Sequence, residues 1–207
     1  MAMTLRQRLS ALRRRMRANA TRGSAAIEFA FVAPAFFVLL LGIMEVGIMF
    51  FAQFTMQNSV MTAARLIRTG TAQATAFASA PKCSGGVGGT GPGGAYASSQ
   101  QWFKDQICCG ISGLLDCTNL HVDVEKSNGF GSTFTSNTDS NGLYIPVTDN
   151  YPATLAACDV VLVRASYTWK VQTPGTTWFL VNMANGAHLI SATSAFRTEP
   201  YTAGSFC

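Results

Sequence analysis

No aspartate or glutamate precedes Glu28, no charge of either sign lies between Glu28 and Glu45, and no cysteine occurs before Cys83. Only two histidines are present. His121 and His188 stand apart from any Cys-x-x-Cys or His-x-His spacing, which leaves a zinc site without paired ligands. There is no Gly-x-Ser-x-Gly elbow and no phosphate loop, so neither a hydrolase nor a nucleotide-hydrolysing site is supported. Gly86-Val-Gly88-Gly-Thr-Gly91 matches a dinucleotide-binding spacing in form only. No strand precedes it and Pro92 follows, so glycine content explains it.

The missing acids make the amino terminus strongly basic. Arg6, Arg8, Arg13, Arg14, Arg15, Arg17 and Arg22 all precede Gly23. The 207-residue chain holds 15 Lys and Arg against 10 Asp and Glu. Setting the seven leader arginines aside leaves eight against ten, about −2 for the remainder. The overall +5 therefore belongs to a short leader, and the main body has no electrostatic footprint for nucleic acid. The length allows one ordinary domain plus an anchor.

Behind the leader comes GSAAIEFAFVAPAFFVLLLGIMEVGIMFFAQF, Gly23 to Phe54, apolar enough to enter a bilayer but carrying Glu28 and Glu45. Arginines ahead of such a span place the leader in the cytoplasm. Two readings of residues 4–18 stand: a basic amphipathic helix on anionic lipid, with Leu5, Leu9, Leu12 and Met16 on one face, or a flexible leader that only sets topology. From Ala25 to about Arg68 the only strong helix breaker is Pro34, expected to kink or locally unwind the helix. Some 40 helical residues would run about 60 Å, twice the hydrocarbon thickness, so the second half must leave the membrane. Gln53, Thr55, Gln57, Asn58, Ser59 and Thr62 interrupt the apolar run there, while Phe54, Met61, Ala64 and Leu66 are expected to keep one face oily. Glu45, a membrane-embedded acid, either sits at the outer interface or faces another helix.

Residues 70–99 are small, polar and glycine-rich, and read as a linker. An extracytoplasmic domain over 100–207 follows. A short helix is expected around Trp102 to Cys109, a strand at Leu120–Glu125 with one solvated face, and a short edge strand at Leu143–Val147. The strongest strand is Cys158 to Val171, with Val161, Val163, Ala165, Tyr167, Trp169 and Val171 on its apolar face. Trp178 to Met183 is expected to pack as an apolar segment, and Leu189–Arg197 closes the sheet with Ile190, Ala192 and Phe196 inward. The expected fold class is α+β: a long amino-terminal transmembrane helix followed by an antiparallel-sheet, disulfide-containing domain.

All six cysteines, Cys83, Cys108, Cys109, Cys117, Cys158 and Cys207, lie beyond the span, which agrees with an oxidising exterior or periplasm. Their pairing stays open, although the vicinal Cys108 and Cys109 are expected to take different partners. His121 is expected on the solvated face of its strand. Asn137-Thr-Asp139-Ser-Asn141-Gly142 has part of a calcium-loop pattern but no bidentate acid at Thr148, and reads as a polar turn. Trp102, Tyr167, Trp169 and Trp178 fit either core packing or a sugar-binding platform. No cofactor, metal or catalytic residue is assigned.

Arg22-Gly23-Ser24 followed by Glu28-Phe29 at the opening of a hydrophobic helix resembles a class III, type IV pilin-like signal. More narrowly, GSAAIEFAFVAPAFFVLLLGIMEVG with the downstream Ala63-Ala-Arg65 resembles the TadE-like proteins of tight-adherence (Flp/Tad) pilus systems. The ending Thr193-Ser-Ala-Phe-Arg197-Thr-Glu199-Pro-Tyr is similar to that family's closing strand. The resemblance implies a prepilin peptidase cutting after Gly23, which makes Ser24 the first mature residue and Glu28 the fifth. It also implies that Glu28 pairs with a neighbouring subunit's new amino terminus, whereas the residues alone favour a carboxylate snorkelling at the cytoplasmic interface. Implied partners are other pilin subunits, assembly-platform proteins, the peptidase and the inner membrane, with the carboxyl-terminal domain periplasmic or in a surface pilus. The other reading is a permanently anchored single-pass protein with a disulfide-rich, ligand-binding ectodomain.

Overall fold

The computed structural model describes residues 5–72, 96, 98–111, 113–127, 129 and 137–200, with side chains described from Gly23 onward. Cys83, Cys207 and nearly all of the expected linker lie outside the described residues. The first element, α1, runs without interruption from Leu5 to Arg68. The basic stretch from Leu5 and the apolar stretch that follows it are thus one continuous helical run. Pro34 deprives the Ala30 carbonyl of its usual donor, yet α1 is helical on both sides of it and is not unwound.

The two halves of α1 meet different surroundings. From Ile27 to Met44 most large apolar side chains are exposed, including Phe29, Phe31, Phe36, Phe37, Leu41 and Met44. The region from Gly23 to Arg68 contains the single described helix long and apolar enough to cross a membrane. Above Glu45, Met49, Ala52, Met56, Val60, Ala63 and Ile67 become buried, spaced three and four residues apart. That spacing traces one helical stripe. Phe54 and Met61, expected on the oily face, are 65% and 58% exposed, because they project from the other side of the helix.

The stripe packs on a three-stranded antiparallel sheet ordered β1-β2-β3, where β1 is Leu120–Ser127, β2 Val160–Trp169 and β3 His188–Arg197. Leu120 pairs with Tyr167, and Tyr167 with Ile190. Successive strand side chains alternate between faces. Val122 and Val124, then Val161, Val163 and Ala165, then Ile190 and Ala192, therefore line one apolar face, which α1 covers over β2 and β3. Phe196 packs at its margin. A second helix, α2 (Ser99–Ile111), adds Trp102, Phe103, Ile107 and Ile111 to the same core. Full burial of side chains such as Met56, Val60 and Ile67 stabilises by about 1.5–3 kcal/mol each. The fold is α+β, with a Cys108–Cys117 disulfide joining the end of α2 to the short 3-10 turn before β1.

Three expectations are corrected. Residues Leu143–Val147 form no strand: Tyr144 makes one isolated bridge with Thr138, and the Val147 amide is taken by the Ser166 hydroxyl at 3.0 Å. The outer face of β1 is not uniformly solvated, because Asp123 is only 4% exposed and is paired with Arg164 of β2. The Trp178–Met183 segment begins as a single helical turn, α3 (Thr177–Leu180), and it leaves Trp178 84% exposed and Phe179 53% exposed. Only Leu180 and Met183 of that segment are buried apolar residues.

Candidate functional site

The lower end of the described helix carries Gly23, Ser24, Glu28 and Phe29, all exposed. Ser24 and Glu28 are four residues apart, so they share a face one helical turn apart. The Ser24 hydroxyl donates to Glu28 Oε1 at 3.1 Å. Gly23 has nothing within 4 Å of the position its Cβ would occupy. Nothing among the described residues therefore requires a glycine there.

Glu45 occupies the boundary between the bare and the packed halves of α1, and only 7% of it is exposed. Its carboxylate is gripped by the backbone that follows β2. The Gln172 amide donates to Oε1 at 2.6 Å and the Thr173 amide to Oε2 at 3.0 Å. The Trp169 indole N–H adds an electrostatic contact, outside ordinary hydrogen-bond geometry. The grip is positioned by a tight turn, Thr173-Pro174-Gly175-Thr176. Its ends are joined from the Thr176 amide to the Thr173 carbonyl at 3.4 Å, and the Thr176 hydroxyl donates to the same carbonyl at 2.8 Å. Gly175 has φ +85°, the left-handed conformation that the third position of such a turn demands. Below Glu45 the turn touches α1 again: a Cβ on Gly42 would lie 3.2 Å from Thr176 Cγ2.

Higher up, α1 closes the free edge of the sheet. Gln53 Nε2 donates to the Ser191 carbonyl, and Gln57 Nε2 donates to the Thr193 carbonyl at 2.9 Å. Gln57 Oε1 in turn accepts from the Thr193 amide at 3.3 Å. Four helical residues rise about 6 Å and two strand residues about 6.8 Å, so glutamines at i and i+4 keep step with alternate β3 peptides. At the far end the Glu199 amide donates to the Arg68 carbonyl, and their side chains form an exposed ion pair at 3.2 Å. Helix and domain are thus joined at three levels: Glu45, the two glutamines, and Arg68.

Other described polar groups tie segments of the domain together. Arg164 pairs with Asp123 and Glu125 and donates to Asn137 Oδ1 at 3.1 Å, tying the 137–150 segment over β1 and β2. His121 Nδ1 lies 3.6 Å from Asp149, and His188 Nδ1 contacts the Leu180 carbonyl. Asp139 uses Oδ1 to accept from the Asn141 and Leu143 amides, and Gly142 has φ +78°, so the calcium-like stretch is a self-satisfied turn. Among the described residues no group of three or more His, Cys, Asp or Glu could hold a metal. Cys109 and Cys158 are also in disulfides. The four aromatic residues form no single platform: Trp102 is buried, Tyr167 and Trp169 are half-buried against the core, and Trp178 projects outward.

The grip on Glu45 is the feature that sequence reading missed. Its signal was present as a Pro-Gly turn directly after the strongest strand, but nothing in local sequence relates position 172 to position 45. Residues 23–65 match the family model described as TadE-like protein. No curated protein and no solved structure matches the chain.

Proposed function

We propose that the chain is a structural, minor pilin or pseudopilin-like component of a tight-adherence (Flp/Tad) pilus, processed by a prepilin peptidase after Gly23. The observation that carries this reading is the TadE-like match over residues 23–65, which covers Gly23, Glu28, Glu45 and all but the last three residues of α1 above Glu45. The architecture supports it. Ser24 to Met44 is 21 residues, about 31 Å of helix, which spans a hydrocarbon core of about 30 Å. Glu45 then stands where the ectodomain begins. Cleavage after Gly23 would leave the Ser24 ammonium at the start of this span, with the Glu28 carboxylate one turn deeper. An unpaired carboxylate at that depth is costly. A neighbouring subunit's ammonium neutralises it and sets the axial register of the two helices.

Mass spectrometry of the mature amino terminus in cells with an active prepilin peptidase tests the processing step. A chain beginning at Ser24 is expected, and one retaining Met1 refutes it. Replacing Gly23 with a bulky residue should block maturation while leaving the fold intact, since the site is open. Glu28→Ala should spare cleavage and impair incorporation into sheared surface fibres. Normal fibres with Glu28→Ala would remove the register role.

A further inference from the structure

The loop that grips Glu45 extends past it toward the bare half of α1. A Cβ on Gly175 would lie 3.9 Å from Val38 Cγ1, and Thr176 packs at Gly42. With the span starting at Ser24, Val38 lies about 21 Å and Gly42 about 27 Å into a hydrocarbon layer of about 30 Å. The turn is therefore at the depth of the outer half of the bilayer, beneath the level of Glu45. Its chemistry fits that depth. No Asp, Glu, Lys or Arg occurs from Val171 to Phe196. The amides of Gln172, Thr173, Thr176, Phe179, Leu180 and Val181 are bonded within the protein, which removes most of the backbone cost of approaching a low-dielectric layer. Trp178 and Phe179 project from α3 with ring centroids 4.9 Å apart. Between the loop and α1 lies an apolar crevice of about 710 Å³ lined by Pro34, Val38, Ile43, Thr176 and Phe179.

We infer that the Val171–Leu180 loop is a second membrane contact. It dips into the leaflet on the ectodomain side, with Trp178 and Phe179 at the boundary of headgroups and acyl chains and a lipid chain filling the crevice. The occupant is lipid because the surface is continuous with the bare apolar face of α1. Trp is also the side chain enriched at that boundary, where its ring is apolar and its N–H polar. Lys170, exposed at the loop's entrance, supplies a cation of the kind that reaches lipid phosphate. Extraction of the subunit from the membrane must then withdraw this loop as well as the helix. The inference rests on the membrane placement of α1 and not on processing at Gly23.

The test uses the full chain in phosphatidylcholine vesicles and nanodiscs. Trp102 is buried and Trp169 half-buried, so the emission of the wild type minus that of Trp178→Leu isolates Trp178. Lipids brominated on the upper acyl carbons should remove most of that component, and aqueous iodide should remove little. The same result is expected at one chain per nanodisc. Strong iodide quenching with no loss to brominated lipid, in a chain that resists carbonate extraction, overturns the inference while leaving the span intact. Extraction by carbonate overturns the span itself. Shielding of Trp178 that disappears at one chain per disc assigns the surface to a second copy and overturns the lipid assignment.

Discussion

Glu45 accepts the Thr173 backbone amide at 3.0 Å across 128 positions of sequence, and with Gln172 it makes one carboxylate bind two consecutive peptides. A buried carboxylate satisfied by backbone donors is far less costly than an unpaired one. It holds the sheet domain at a fixed height on the helix that carries it.

Glu45→Ala should loosen that attachment. The change leaves two amides without acceptors, at a cost of about 1–3 kcal/mol for each group left unsatisfied. Glu45→Gln should be intermediate, because its NH2 group cannot accept from the second amide. Hydrogen exchange at Gln172 and Thr173 in the detergent-solubilised full chain measures this directly. Unchanged protection of both amides in Glu45→Ala would show that the turn holds itself.

The crossing of α1 and α2 depends on a missing side chain. A Cβ on Gly110 would fall 2.0 Å from Ser59 Oγ and 2.8 Å from Ser59 Cβ. Gly110→Ala should therefore destabilise the domain by about 1–3 kcal/mol through overpacking, despite the gain of about 1 kcal/mol in helix propensity. Adding Ser59→Gly should recover part of the loss. Thermal unfolding of the single and double variants reads the coupling.

Gln57→Ala should expose the β3 edge at Thr193 without disturbing the core, since Gln57 acts through hydrogen bonds to the Thr193 amide and carbonyl. The expected cost is about 1 kcal/mol for each lost bond, and the exposed edge should raise the tendency to aggregate. Light scattering of the solubilised variant at matched concentration is the measurement. Gln57→Leu, which fills the space without the amide, should behave like the alanine variant.

Tyr96 links stability to alkaline pH. Burial, then the hydrogen bond to Asp105 and its negative charge, push the phenol well above its usual pKa of 10.0. The unfolded chain releases the proton first as pH rises. The stabilisation is therefore complete below about pH 10 and is lost above it. Unfolding midpoints measured from pH 9 to 11 should fall more steeply for the wild type than for Tyr96→Phe. Parallel slopes would remove Tyr96 from the account.

The three strands of the sheet and the helix from Ala25 to Arg68 were legible because each rests on a local rule. Val163, Ala165 and Tyr167 alternate with Arg164, Ser166 and Thr168, so any sheet with one buried face places them inward. The helix could be measured from Ala25 to Arg68 because no strong breaker except Pro34 intervenes. The oily side of its second half was less legible. Phe54 and Met61 are larger and more apolar than Ala52 and Ala63, yet the alanines are buried because a helix packs closest where its side chains are small. Likewise Trp178 and Phe179 look like core residues in a one-dimensional reading, and only the position of α3 beside the bare helix shows them to be surface.

By itself, the sequence determined a basic amino-terminal stretch, an apolar segment long enough to span a membrane, an even set of cysteines beyond it and an antiparallel sheet, all of which follow from composition and period. The tertiary structure alone decided what Glu45 is for. A carboxylate in an apolar helix announces a partner without naming it, because donors reach it from wherever the chain returns. Here they come from the turn after β2, whose position depends on the register of the whole sheet against α1.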